Sequence, residues 1–169
     1  MKFTGGEVKK DVFVTIESFL NREDLAIDSS DESRPWGGFF VVAETDAEKF
    51  IARFFSHLSK KELEIAGKLS PKILVVAPGK RLSWQYHHRR AEIWKLIAGE
   101  AAVATSDTND EDHLKNLSIG DIVELKQGER HRLIGLANWG VVAEIWQHTD
   151  SQNPSDEQDI VRLQDDFGR

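Results

Sequence analysis

From Lys72 onward the chain is a succession of short apolar runs broken by glycine, asparagine and aspartate. Ile73-Leu74-Val75-Val76, Leu82 to His88, Ile93 to Ile97, Ala101 to Thr105, Leu117 to Leu125, His131 to Leu136 and Val141 to Trp146 follow one another in this way. Corners fall at Pro78-Gly79, Gly120-Asp121, Gly128-Glu129 and Asn138-Trp139-Gly140, and Thr108 to Asp112 reads as a solvated loop. Short strands separated by turn signals at this spacing predict an antiparallel barrel or sandwich. Upstream the pattern is mixed. The β-branched and aromatic stretch Lys9 to Ile16 predicts a strand, Asn21 to Ser33 a polar loop, and Phe39 to Val42 a strand that resumes after Arg34-Pro35-Trp36-Gly37-Gly38. Thr45-Asp46-Ala47-Glu48 fits a capping box, and Phe50, Ile51, Phe54, Phe55 and Leu58 recur behind it at helical spacing. Ser59 to Glu62 caps a second short helix, or else Leu63 and Ile65 open a strand.

The expected organisation is therefore one all-β domain. It comprises an N-terminal strand and loop extension (1–32), a short helical insertion (about 45–70), a core antiparallel barrel (71–150) and a tail (151–169) whose apolar anchors pack on the barrel.

Composition narrows the function. A chain of 169 residues with 40% hydrophobic and 30% charged positions has enough material for a core of its own. Zero cysteines exclude disulfides, zinc fingers and thiol catalysis. A net charge of −7 argues against a nucleic-acid partner. Met1 to Thr4 leads into no apolar leader, and no apolar run nears the roughly 18 residues of a membrane span, so no membrane partner and a cytoplasmic location are expected. The basic residues are unevenly placed: Lys80, Arg81, Arg89, Arg90, Lys95, Arg130 and Arg132 gather around one stretch, which suits a small anionic ligand.

That stretch is Gly79 to Gly99. Strand alternation puts Gln85 and His87 on one face and Tyr86 and His88 on the other. A bend after Arg90 returns Glu92 to the first pair, converging an amide oxygen, an imidazole and a carboxylate. The later segment Gly120 to His131, with its strand and glycine turn, offers a second imidazole. His87 alone reads as a core or surface histidine and Glu92 alone as a turn carboxylate. Together with Gln85 and His131 they have the make-up of a divalent-cation site. His88 and His113 read as surface residues, and the five tryptophans as core and rim, with Trp94 sharing the parity of Glu92.

The spacing resembles the two-part motif of cupins. Gly79, five residues, Gln85-Tyr86-His87, four residues, Glu92, six residues and Gly99 match its first half, with Gln85 where the first histidine usually stands; Gly120 to His131 matches the second. Gln85-Tyr86-His87-His88-Arg89-Arg90-Ala91-Glu92-Ile93-Trp94 is similar to the corresponding block of type II phosphomannose isomerases, in which that first position is also glutamine. Arg34 to Gly37, Pro78-Gly79 with Leu82-Ser83, His131-Arg132-Leu133, and the ending Asp159 to Arg162 with Asp166 to Arg169 agree. Departures are Phe167 for tyrosine, Gly135 near an expected asparagine, and Arg89 for histidine. The resemblance covers about residues 33–169 outside the helical insertion. It implies a cupin (jelly-roll-like) β-barrel acting alone as a metal-dependent aldose–ketose isomerase that converts mannose 6-phosphate to fructose 6-phosphate through an enediolate.

On that reading Gln85, His87, Glu92 and His131 hold a divalent metal. Zinc comes first, with manganese, iron, cobalt and nickel accepted by the same ligands. Glu144, which alternates with Val142 and Trp146, is the leading general base and His88 the second, with Arg132 also placed in the catalytic set. A structural ion pair of Glu144 with Arg34 or Arg132 remains open. Arg34, Trp36, Arg90, Arg132 and Arg169 are the candidates for contact with the sugar phosphate. A homodimer is implied by the resemblance alone. Two other readings use the same residues: a non-haem iron dioxygenase built on the His/His/Glu triad, and a non-catalytic sugar-binding or regulatory cupin.

Overall fold

The computed structural model describes residues 1–64 and 67–168. Its centre is a pair of long antiparallel strands, β5 (Arg90–Ser106) and β8 (Arg130–His148), which face each other over nearly their whole length. The sheet continues from β8 through β3 (Lys72–Val76) and β2 (Gly37–Val42) to an edge at β1 (Ile27–Asp31). On the other end of β8 it runs through β4 (Trp84–Tyr86) to β9 (Val161–Gln164), while β5 also carries β6 (His113–Leu117) and β7 (Ile122–Leu125). All the described pairings are antiparallel.

Along β3 and the Val141 to Trp146 part of β8 both faces of the sheet are buried, which explains why these stretches read as solid apolar runs rather than as alternations. Leu74, Val76, Trp94, Leu96, Leu133 and Val142 fill the barrel. Their strand neighbours Ile73, Val75, Ile93, Ala143 and Ile145 pack outward against a helical layer. That layer contains α1 (Lys9–Arg22), α2 (Ala47–Phe54) and α3 (Lys60–Leu63).

Helix α1 corrects the expectation of a strand at Lys9 to Ile16. Val12, Phe13, Ile16 and Leu20 are buried and fall on one helical face, whereas Asp11 and Arg22 suit the two ends of the helix dipole. The β-branched residues cost a helix only tenths of a kcal/mol each, and burying the apolar face outweighs that. The polar stretch after it, expected to be a loop, contains strand β1, held by pairing with β2. Helix α2 forms where the apolar spacing predicts it. The capping box at Thr45 does not form: Glu44–Asp46 is a 3-10 turn, and the Asp46 carboxylate accepts instead from the Ala26 N–H. Ser59 and Glu62 do cap α3; the alternative strand through Ile65 falls on a residue outside those described. Asn138-Trp139-Gly140 is not a corner, because Gly140 pairs with both Val76 and Gly99 and carries β8 straight through.

Candidate metal centre

β4 supplies Gln85, and the bend after it supplies His87; β5 supplies Glu92 and β8 supplies His131. Gln85 lies directly opposite His131 in the β4–β8 pairing. His87, Glu92 and His131 are all buried, and one ligand atom from each falls within 4.8 Å of the others. His87 Nε2 lies 3.2 Å from Glu92 Oε1, and His131 Nε2 lies 3.3 Å from Glu92 Oε2.

The proton positions make this an acceptor-rich point. His87 Nδ1 is 2.6 Å from the Asp159 carbonyl and His131 Nδ1 is 2.9 Å from the Glu129 carbonyl. A carbonyl only accepts, so each Nδ1 carries the proton and each Nε2 turns a lone pair inward. Burial and the Arg90 charge push the His87 imidazolium pKa down, against the pull of Glu92, so the ring is neutral at pH 7. Burial disfavours the charged form of Glu92, yet the positive charge around it, with Arg90 Nε 2.7 Å from Oε1, more than offsets that and holds the carboxyl well below its usual range. Two imine lone pairs thus face a carboxylate with no proton between them. Glu92 Oε2 and His131 Nε2 have no hydrogen-bond partner at all. Buried acceptors left in that state are costly, and a divalent cation is the group that satisfies such a set.

Arg90 completes the surround. Its Nε donates to Glu92 Oε1 at 2.7 Å, its Nη2 to His87 Nε2 at 3.1 Å, and its Nη1 to Ser155 Oγ and the Asp156 carbonyl. The guanidinium lies 3.6 Å from the Trp146 ring centroid.

A cavity of about 250 Å³ opens beside these groups. Glu144 lines it, 4% exposed, with Oε1 accepting from Trp94 Nε1 at 3.0 Å. Burial, reinforced by the nearby Glu92 charge and opposed by Lys72 and Arg90, raises the Glu144 pKa to about 7. Neither Arg34 nor Arg132 pairs with it: Arg34 pairs with Asp31 at 2.7 Å. Arg34, Trp36 and Arg90 do line the cavity, and Gln85 lines it with its Oε1 accepting from Ser83 Oγ.

The structure does not bring His88 or Arg132 to the site. His88 is exposed, with its ring against Tyr86 on the opposite strand face. Arg132 follows His131 in sequence and therefore points to the other side of β8. There it is fully buried and fastens Leu82, Glu111 and Gln164 together. Arg169 lies outside the described residues. Residues that the sequence did not single out also line the cavity, among them Lys72, Arg162 and Glu157. The Lys72 ammonium is buried 3.8 Å over the Trp146 ring and paired with Glu157. Its signal was available: Lys72 has the inward parity of Leu74 and Val76, a charge at a barrel-core position.

A barrel of antiparallel strands with a His/His/Glu cluster inside its mouth defines a cupin. Oxalate decarboxylase of Bacillus subtilis superposes with a TM-score of 0.55 at 15% identity, over 80% of this chain and 30% of that one. The capsular polysaccharide assembling protein CapF of Staphylococcus aureus does so with a TM-score of 0.52, also at 15% identity, over 83% and 34%. Within that class the chain belongs to the mannose-6-phosphate isomerase C-terminal family, whose sequence model matches residues 44–165. The alginate biosynthesis protein AlgA of Pseudomonas aeruginosa is 32% identical over 114 residues, 66% of this chain and 21% of the relative. A mannose-1-phosphate guanylyltransferase of Escherichia coli is 33% identical over 107 residues, 63% and 21%. The chain thus spans about a fifth of the length of these curated relatives.

Proposed function

We propose that this domain is a metal-dependent sugar-phosphate isomerase interconverting mannose 6-phosphate and fructose 6-phosphate. Membership of the mannose-6-phosphate isomerase C-terminal family supports the substrate class. The observation that carries the chemistry is Glu144, a buried carboxyl whose pKa sits near 7 in the same cavity as His87, Glu92 and His131. Burial raises its hold on a proton, and a carboxyl so placed, with one oxygen fixed by Trp94 Nε1, is positioned to move a proton between C2 and C1.

Gln85, His87, Glu92 and His131 would hold the metal. When bound it supplies Lewis-acid polarisation of the sugar carbonyl and stabilises the charge developing on that oxygen. The chain's own residues do the rest. Glu144 shuttles the proton while Trp94 Nε1 fixes its orientation. Arg34 and Lys72, on the cavity wall, face the phosphate, whereas Arg90 is committed to Glu92 and His87. Trp36, Leu74 and Leu82 give the cavity an apolar side that limits water.

The test is to load the purified protein with Zn²⁺ or Mn²⁺, supply mannose 6-phosphate under nitrogen, and assay fructose 6-phosphate. Turnover without oxygen that is lost in His131→Ala supports the reading. Metal-loaded protein that turns over no hexose or pentose phosphate sinks it. Oxygen uptake would point to the two-histidine, one-carboxylate oxygenase instead, and tight sugar binding without turnover to a binding cupin.

A further inference from the structure

The tail residues 155–159 come back across the barrel mouth and meet the metal centre from behind. Asp159 accepts four hydrogen bonds there, and its carboxylate lies 3.7 Å from Arg89 Nε. Its carboxylate accepts from the His88 N–H at 3.1 Å, from the Arg89 N–H at 2.9 Å and from Ser155 Oγ at 2.7 Å. Its backbone carbonyl accepts from His87 Nδ1 at 2.6 Å. The side chain therefore grips the bend that follows His87, while the carbonyl of the same residue fixes the tautomer and rotation of the His87 ring. Ser155 extends the device: its Oγ accepts from Arg90 Nη1 at 2.8 Å, and Arg90 in turn holds Glu92. Its N–H donates to His148 Nδ1 at 3.0 Å, tying the tail to the end of β8. Asp159 is 6% exposed and Ser155 fully buried. In a free tail neither would keep this set of partners.

We propose that Asp159, with Ser155, is a positioning residue for the metal centre, so that docking of the tail and metal affinity are one coupled equilibrium. This rests on the metal reading of His87, Glu92 and His131. Outer groups that orient a ligating imidazole commonly control 10- to 100-fold in metal affinity. Here one tail residue orients His87 directly and reaches Glu92 through Ser155 and Arg90. Coupling is reciprocal, so metal must also tighten the tail.

The experiment measures Zn²⁺ affinity by competition with a chromophoric chelator, well below the unfolding temperature. Asp159→Asn keeps the size but offers an N–H₂ where the main-chain donors need an acceptor, and weakens Zn²⁺ binding about 10- to 100-fold. Ser155→Ala, which leaves Arg90 the Asp156 carbonyl, costs a smaller factor. Gln158→Ala, on the exposed side of the same segment, leaves the affinity unchanged. In wild-type protein, saturating Zn²⁺ slows hydrogen exchange at the Arg89 and Ser155 amides. Wild-type affinity in Asp159→Asn overturns the proposal. If that variant does not fold, exchange at those two amides that ignores Zn²⁺ overturns it equally. A wild-type protein that binds no Zn²⁺, Mn²⁺ or Ni²⁺ fails at the metal reading itself, a different result from bound metal with an indifferent tail.

Discussion

Lys72, Glu144 and Trp94 stand in one row across β3, β8 and β5, since Lys72 is opposite Glu144 and Glu144 opposite Trp94. The row places an ammonium, a carboxyl and an indole N–H along one wall of the cavity, and Glu144 between the other two is where proton chemistry is expected. Glu144→Gln should lower turnover of mannose 6-phosphate by roughly 10²- to 10⁴-fold and leave Zn²⁺ affinity nearly unchanged, because Glu144 is outside the His87–Glu92–His131 cluster. Equal loss of metal affinity would make it a structural group.

The same residue has a signature in stability. Its pKa is raised from 4.5 to about 7 on folding, so the folded state holds a proton that the unfolded chain has released. Its contribution is fully present below pH 4.5 and is lost as pH rises to about 7, on the order of 3 kcal/mol in total. His148, pushed down to about 4 by burial with help from Lys68 and Arg90, works oppositely over much of that window. The measurement is therefore a difference: metal-free Glu144→Gln minus wild type, by urea unfolding, should gain stability from pH 4.5 to 7 and be flat above.

Arg132 tests the opposite kind of role. Arg132→Met leaves the Leu82 and Gln164 carbonyls without their donor and should cost about 2–4 kcal/mol in urea unfolding, with the pH dependence of any mannose 6-phosphate turnover by the remaining folded protein unmoved. The convergence of His87, Glu92 and His131 was legible in the sequence because strand parity and motif spacing carry it. Arg132 was expected at the site from the resemblance, whereas the parity rule puts it across the strand from its neighbour His131.

At the scale of elements, the sequence showed its turns well only where the chain truly leaves the sheet. Gly99 sits at φ +71° with the place of its missing Cβ 1.7 Å from the Trp139 carbonyl oxygen. That close approach lets β5 and β8 stay paired through Asn138-Trp139-Gly140, which the residue types alone present as a corner. Gly99→Ala combines left-handed backbone strain with a backbone clash. It should destabilise by about 2–4 kcal/mol in urea unfolding, whereas Gly120→Ala, at a turn with open space around it, should cost about 1–2 kcal/mol. Helix α1 was illegible for another reason. Its periodicity, Val12-Phe13-Ile16-Leu20, competes with a β-rich composition, and only the outward face of β2, β3 and β8 decides between them. Strand β1 was hidden because Ile27 to Asp31 carries almost no apolar signal and owes its form to the backbone of β2.

For the whole molecule, two apolar layers hold a polar point that neither layer satisfies. Cores do not tolerate unpaired acceptors without compensation, and among the described residues the two side-chain ligand atoms without partners at this point belong to Glu92 and His131. Filling the site should therefore appear in global stability, since a cation that binds only the folded state stabilises it by mass action. At free Zn²⁺ about 100 times its Kd the gain is about 2.7 kcal/mol, which in a domain of this size is a rise in Tm of roughly 5–10 °C. EDTA should reverse the rise. His131→Ala should abolish it while still unfolding cooperatively, because the Leu133 and Val142 core around it keeps its packing and Trp94 loses only an edge contact with the ring. Asp159→Asn should need 10- to 100-fold more Zn²⁺ to reach the same Tm. A Tm indifferent to Zn²⁺, Mn²⁺ and Ni²⁺ alike would mean that the buried acceptors are satisfied by something other than a metal, and the isomerase reading would lose its electrophile.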